Sequence, residues 1–85
     1  MNYRIEILRR AQKELADLPK EVYQRVCESI QSLAEDFRPS GCVKLKGREG
    51  WRIRVGNYRI LYQIDDQQKT VTIVHIGHRR DVYEK

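Results

Sequence analysis

Two runs of alternating side chains, separated by the dipeptide Gly56-Asn57, constrain the fold of this chain more than any other feature. The runs read WRIRV over residues 51–55 and YRILYQI over residues 58–64. Alternation of apolar and polar residues is typical of a half-buried β-strand, and a two-residue connection of this type is typical of a tight hairpin. The pattern therefore predicts an antiparallel hairpin in which Val55 faces Tyr58 and Trp51 faces Tyr62.

The predicted register gives this hairpin one apolar face and one basic face. The apolar face carries Trp51, Ile53, Val55, Tyr58, Ile60, Tyr62 and Ile64. The other face, called the arginine face below, carries Arg52, Arg54 and Arg59, with Leu61 and Gln63 beside them. Arg54 lies opposite Arg59, and like charges in such a pair cost stability, within about 0.2–1 kcal/mol. Either the arginine face binds an anion, or it is a solvated basic surface that protects the sheet from aggregation.

The positive charge of the chain is concentrated in its second half. Residues 1–40 hold seven basic and seven acidic residues, so residues 41–85 carry the whole net charge of +5. A basic surface confined to one region favours a polyanionic partner, either nucleic acid or an acidic protein segment. At 85 residues the chain is expected to form a single domain over residues 1–85, with a shallow surface site rather than a deep pocket.

Other sequence signals indicate a cytoplasmic protein without a cofactor. The N-terminus has no apolar signal region, and no stretch approaches transmembrane length, so no membrane partner is expected. Cys27 and Cys42 are expected to be free thiols in a reducing compartment. His75 and His78 have no cysteine near them, so the spacing predicts no zinc site and no other metal site.

The remaining elements follow from changes in periodicity. Residues 3–7 alternate as a first strand, and helical spacing begins at about residue 8. Pro19 is expected to end this helix and to open a second one over residues 20–36, because proline suits a first helical turn. The motif KLKG at residues 44–47 is expected to be a short extended piece before the hairpin.

Residues 70–76 are predicted to form a strand inside the sheet, because both of their faces are apolar. Val71 and Ile73 are assigned to one face, and Val74 and Ile76 to the other. The order of elements predicts an α+β fold, in which an N-terminal strand and a helical hairpin are followed by the strands of a small, mainly antiparallel sheet. The helices pack on one face of this sheet.

Candidate chemistry is confined to basic and aromatic side chains. The sequence has no recognisable nucleophile triad, glycine-rich phosphate loop or carboxylate pair. Arginine presents a planar, permanently charged fork that suits phosphate, and an aromatic ring can stack on a base, worth about 1–3 kcal/mol. Because no recognition helix is basic, we expect recognition of single-stranded RNA or an exposed nucleotide rather than of a duplex. The candidate residues are Lys44, Lys46, Arg48, Arg52, Arg54, Arg59, His78, Arg79, Arg80 and Tyr83.

Three segments of the chain resemble the RelE/ParE superfamily of bacterial toxins, and its RelE branch most. They are KLKG at residues 44–47, the hairpin at residues 51–64 and GHRRDVY at residues 77–83. The resemblance implies the toxin of a type II toxin–antitoxin pair. RelE-type toxins enter the ribosomal A site and cut mRNA there without a metal: the 2′-hydroxyl attacks the adjacent phosphate, leaving a 2′,3′-cyclic phosphate and a free 5′-hydroxyl.

The resemblance also assigns roles to individual residues. Arg59 matches the arginine that stabilises the phosphate, Arg79 the arginine that aids the leaving 5′-oxygen, and Tyr83 the tyrosine that stacks on the base. Arg52 and Arg54 stand where the best-known RelE member has lysines. Arginine is in effect always protonated, so these two residues are poor general bases. We therefore expect positioning and charge stabilisation to dominate, with the proton passing to Lys46, His78, water or a ribosomal group.

The expected RNA contacts around this catalytic set are Lys44, Lys46, Arg48, His78 and Arg80. The expected partners are a cognate RelB-like antitoxin that covers the arginines, the ribosome and its mRNA, and operator DNA only through the antitoxin. One alternative is a ParE-like inhibitor of DNA gyrase without nuclease activity. Another is a non-toxic relic that binds RNA or sequesters an antitoxin.

Overall fold

Within residues 2–78, five strands form a single sheet, and two helices pack on one of its faces. The computed structural model describes residues 2–78. Along the chain the elements are β1 (Arg4–Ile7), α1 (Arg9–Ala16), α2 (Lys20–Ser32), β2 (Val43–Lys44), β3 (Trp51–Val55), β4 (Tyr58–Asp65) and β5 (Thr70–His78). The strand order across the sheet is β1-β5-β4-β3-β2. The predicted α+β fold is therefore confirmed.

The hairpin of β3 and β4 has the register that its sequence predicts. Val55 pairs with Tyr58, Arg54 with Arg59, and Trp51 with Tyr62. Gly56 has a φ of +62°, which glycine adopts without steric cost and which suits the first position of a type II′ hairpin turn. The dipeptide Gly56-Asn57 thus fixes which side chains of both strands share a face.

β5 lies inside the sheet, as predicted, between β1 and β4. It runs parallel to β1, with Arg4 paired to Thr70, and antiparallel to β4. The side chains between this sheet and the helices form one hydrophobic core. Its largest fully buried members are Tyr62, Leu33, Ile60, Ile73, Ile76, Val26 and Val71, and burying a side chain of this size contributes about 1.5–3 kcal/mol.

A β-bulge in β5 corrects the assignment of its faces. Leu61 pairs with His75, and the next residue of β4, Tyr62, pairs with Ile73, so Val74 has no partner in the β4–β5 register. An extra residue of this kind breaks the alternation of a strand. Ile76 consequently pairs with Ile60 and is buried with the core residues. The prediction that Val74 and Ile76 share a face was wrong.

Two further elements are shorter than predicted. α2 ends at Ser32 rather than at residue 36, because its last turn tightens into i→i+3 hydrogen bonds such as Glu35 N–H to Ser32 O at 3.2 Å. The extended piece is limited to the two residues of β2, after which the loop is closed by the Leu45 N–H, which donates to Gly50 O at 3.0 Å. Neither helix described over residues 2–78 is long and apolar enough to cross a membrane.

Candidate functional site

The three arginines of the arginine face differ in exposure. Arg59 is only 4% exposed, Arg52 is half-buried and Arg54 is exposed. Of the three side chains, the sheet therefore exposes Arg54 fully and Arg52 in part. Arg59 instead lies below the surface.

The burial of Arg59 follows from its neighbours on the sheet. On β5 it lies opposite Gly77, which has no side chain to displace it. On β4 the next residue of the same face, Leu61, is itself only 3% exposed. An arginine retains its charge when buried, and burial restricts the conformations of its long side chain. Arg59 is therefore a fixed cation, whereas Arg54 opposite it is exposed to solvent.

The loop between β2 and β3 packs on the arginine face beside Leu61. Leu45, Arg48, Leu61 and Val74 line one small cleft. Gly50 closes the loop with a φ of +128°, and a Cβ at this residue would lie 3.1 Å from both Tyr62 O and Leu45 Cδ1. The loop is therefore held against β4, and the predicted RNA contact Arg48 lies beside Leu61, on the same side of the sheet as Arg59. Lys46, another predicted contact, belongs to the same loop.

Two other predicted contacts lie on the helix side of the sheet. Lys44 pairs with Trp51 rather than Arg52, and its Nζ lies 5.7 Å from the centroid of the Trp51 ring. His78 pairs with Tyr58, and the two rings meet edge to face with centroids 5.4 Å apart. The alternation of side chains therefore separates Lys44 and His78 from Arg59. Three predicted residues, Arg79, Arg80 and Tyr83, lie outside the described residues.

Sequence reasoning missed a bridge between α1 and β5 that lies close to Arg59. Glu14 Oε1 accepts hydrogen bonds from the Ile76 N–H at 2.8 Å and from His75 Nδ1 at 2.9 Å. Arg10 Nε donates to the other oxygen of Glu14 at 3.1 Å. β1 pairs with β5 only as far as Ile73. Beyond that residue the Glu14 carboxylate, rather than β1, accepts the hydrogen bond from the β5 backbone. Ile76 directly precedes the glycine that faces Arg59, and the bridge therefore fixes this part of β5.

A second polar cluster joins loops at the opposite end of β4. The Tyr3 hydroxyl donates to Asp66 Oδ1 at 2.8 Å, and Arg38 Nη2 donates to Asp66 Oδ2 at 3.2 Å. The Tyr3 hydrogen bond, and then that of Arg38, hold the pKa of Asp66 below its ordinary value. The Tyr3 ring also stacks on Phe37, with centroids 4.0 Å apart. This cluster lies where β1 and the β4–β5 turn meet, so we assign it to stability.

Comparison with known proteins gives a family match over almost the whole chain. The family model described as "ParE toxin of type II toxin-antitoxin system, parDE" matches residues 5–83. Among curated proteins, the chain is similar to "Toxin RelG" of Mycobacterium tuberculosis. The two are 31% identical over 87 residues, which cover 100% of each chain.

Two solved structures have the same fold. One is the archaeal RelE–RelB complex from Pyrococcus horikoshii, with a TM-score of 0.83 and 30% identity, covering 96% of this chain and 100% of the other. The second is the toxin–antitoxin complex RelBE2 from Mycobacterium tuberculosis, with a TM-score of 0.81 and 30% identity, covering 95% of each chain.

Proposed function

The chain belongs to the ParE toxin family of type II toxin–antitoxin systems, within the RelE-like branch of the RelE/ParE superfamily, and on this premise we propose that it is a ribosome-dependent endoribonuclease. It cuts mRNA in the A site by attack of a ribose 2′-hydroxyl on the adjacent phosphate. The products are a 2′,3′-cyclic phosphate and a 5′-hydroxyl. The reaction takes place in the cytoplasm, where ribosomes and mRNA are found.

The buried Arg59 beside the exposed Arg54 is the observation that carries this proposal. The attack places additional negative charge on the phosphate oxygens, and a cation that is already fixed stabilises this charge without reorganising. Arg54 and Arg52 then hold the adjacent phosphates and align the ribose for in-line attack. Arg79 aids the leaving 5′-oxygen, and Tyr83 stacks on the substrate base.

The proton of the 2′-hydroxyl has to leave through a group other than these arginines, because a guanidinium does not act as a base. Lys46 is carried by the loop that packs on the arginine face, so it is the favoured acceptor on this chain. Water and a ribosomal group are the other candidates. The His78 ring faces Tyr58 on the helix side, so the proposal gives it no proton transfer at Arg59.

A cognate RelB-like antitoxin is the proposed protein partner. Two similar structures are toxin–antitoxin complexes by their names, and an acidic or amphipathic segment would neutralise the charge of the arginine face. Operator DNA would be bound through the antitoxin rather than through this chain.

Primer extension on a defined mRNA in a reconstituted translation reaction tests the nuclease. Wild type should cut within the A-site codon only when ribosomes are present. Arg59→Ala should lower the cleavage rate roughly 100-fold or more, because it removes the fixed cation. Arg4→Ala is the matched control, since Arg4 is an exposed arginine of β1 whose partner is Glu6. Intact mRNA at toxin concentrations that stop growth would contradict the nuclease.

Inhibition of DNA gyrase is the second candidate function. The description of the family model, which names the ParE toxin, favours it, as do the two arginines that stand in place of the lysines of RelE. Gyrase supercoiling assays with purified toxin distinguish the two functions. Loss of supercoiling together with intact mRNA would replace the nuclease by gyrase inhibition.

A further inference from the structure

A groove runs between α2 and the free edge of β3, on the side of the hairpin turned away from β4. It consists of two adjoining cavities of about 480 and 380 Å³. Ser29, Ser32 and Arg54 line both of them. The larger cavity extends to the loop at residues 39–43, and the smaller one ends at Arg25 and Gly56.

Two arginine side chains converge on this groove. Among residues 2–78, neither the Arg25 nor the Arg54 guanidinium group forms a hydrogen bond or an ion pair. The Arg25 side chain crosses from α2 to the hairpin turn, where its Nη1 lies 3.6 Å from the position that a Cβ would take on Gly56. It does not form an ion pair with Glu28, although both line the smaller cavity. Two unpaired guanidinium groups at one cavity favour an anionic ligand.

Further hydrogen-bond donors lie along the same groove. β2 pairs only with Trp51 and Arg52, so within residues 2–78 the groove side of residues 53–55 has no strand neighbour. The Ser29 hydroxyl forms no hydrogen bond to the described residues, whereas the Ser32 hydroxyl donates to Glu28 O at 3.0 Å. Arginine, serine and backbone N–H groups are the donors that proteins use for the nucleic-acid phosphate backbone.

We propose that this groove binds the phosphate backbone of single-stranded RNA. Arg54 connects it to the arginine face, because Arg54 lines both cavities and is also the cross-strand partner of Arg59. An RNA strand held at Arg59 could therefore pass around the edge of β3 to Arg25, with Arg54 providing positive charge between the two. This continuity favours RNA over an acidic protein segment. The inference rests on the proposed RNA substrate and extends its binding track beyond the cut.

The groove is lined by side chains of both charges, so substitutions there should change RNA affinity in opposite directions. Arg25→Ala should weaken the binding of a labelled 12-nucleotide single-stranded RNA by about threefold to tenfold. It should also reduce the salt slope of the binding constant by about 0.7, the contribution of one phosphate contact on a single strand. Glu28→Gln should strengthen binding, because it removes a negative charge that faces the same cavity. The readout is fluorescence anisotropy of the full-length toxin, without ribosomes, over a series of salt concentrations.

Lys13→Ala is the matched control, because it removes one positive charge from α1, which packs against β5 rather than β3. It should change RNA affinity less than Arg25→Ala and leave the salt slope unchanged. Equal effects of Arg25→Ala and Lys13→Ala, or no gain with Glu28→Gln, would overturn the proposal. So would an Arg25→Ala variant that loses affinity for the purified antitoxin but not for RNA, since the groove would then bind protein.

The translation reaction separates this inference from the nuclease itself. If Arg25→Ala weakens RNA binding but wild type leaves mRNA intact on ribosomes, the groove is supported and the nuclease is not. If wild type cuts mRNA while Arg25→Ala binds RNA as the control does, the nuclease stands and the groove proposal fails. Thermal unfolding of each variant should match wild type, because Arg25 makes no ion pair or hydrogen bond in the described residues.

Discussion

At the residue scale, the contrast between Arg59 and Arg54 shows what a sequence can and cannot predict about a site. That the two face each other follows from the two-residue turn, because the register of a hairpin is set locally. That Arg59 is buried does not follow, because it depends on Gly77, which reaches Arg59 only when β5 pairs with β4. Arg25 gave no signal either, because it belongs to residues 1–40, which hold equal numbers of basic and acidic residues.

Asp66 provides a prediction about acid stability. Its pKa is lowered in the folded protein, mainly by the Tyr3 hydroxyl and then by Arg38, so the folded state binds its proton less readily than the unfolded chain does. The contribution of Asp66 to stability is therefore present above its ordinary pKa of 3.8 and is lost as the pH falls through its lower folded value. Asp66→Asn should be less stable than wild type at neutral pH and should approach it in acid.

Urea unfolding between pH 7 and pH 2 measures this difference. Asp17→Asn serves as the control, because Asp17 is an exposed carboxylate to which the structure gives no ion-pair partner among residues 2–78. Curves for Asp66→Asn and wild type that stay parallel down to pH 2 would show that the Tyr3 and Arg38 hydrogen bonds do not favour the ionised carboxylate.

At the element scale, the Glu14 bridge and the bulge at Val74 act on the same part of β5. The bulge was not predictable, because residues 71–76 are apolar on both faces and an extra residue leaves no break in such a pattern. The hairpin, by contrast, alternates arginines with apolar residues, so its register could be predicted from the sequence. The Glu14 bridge was hidden for another reason: it joins residues that lie far apart in the sequence, and one of its bonds goes to a backbone N–H.

Glu14→Ala should destabilise the protein by about 1–3 kcal/mol, the cost of leaving a buried hydrogen-bond donor without its acceptor. The donor is the N–H of Ile76, a residue that is only 1% exposed. Glu14→Gln should cost less, because its amide oxygen can still accept this bond. Glu35→Ala, at an exposed carboxylate beyond α2, is the control, and urea unfolding at neutral pH is the measurement. Equal stability of Glu14→Ala and Glu35→Ala would rule out a structural role for the bridge.

At the scale of the whole molecule, the two helices cover different parts of the sheet. α1 packs on β5, and α2 lies over β3, next to the edge where Arg25, Arg54 and Arg52 are found. The net charge of the chain comes from residues 41–85, yet one residue of the neutral half, Arg25, completes the basic track. Charge counted along the sequence therefore did not indicate that Arg25 lies beside the basic residues of the hairpin.

A partner that covers this surface should raise the unfolding temperature of the toxin. A ligand that binds only the folded state stabilises it by about 2.7 kcal/mol at a concentration 100 times its dissociation constant. Thermal unfolding of the toxin should therefore shift upward as cognate antitoxin is added, and the shift should keep growing with antitoxin concentration. Arg54→Ala should reduce the shift more than Arg4→Ala does. An unfolding temperature independent of antitoxin concentration would contradict a stable complex.

The parallel pairing of β1 with β5 has a consequence for synthesis. The pairing of β3 with β4 joins residues that are close in the sequence, but β1 has to wait for Thr70 to Ile73 before it enters the sheet. Contacts between such distant parts of a chain slow folding. The surroundings of Arg59 are also incomplete until Gly77 has been added opposite it. A nascent chain thus lacks the complete sheet, and Arg59 is not buried as in the folded protein, until the last described strand has emerged.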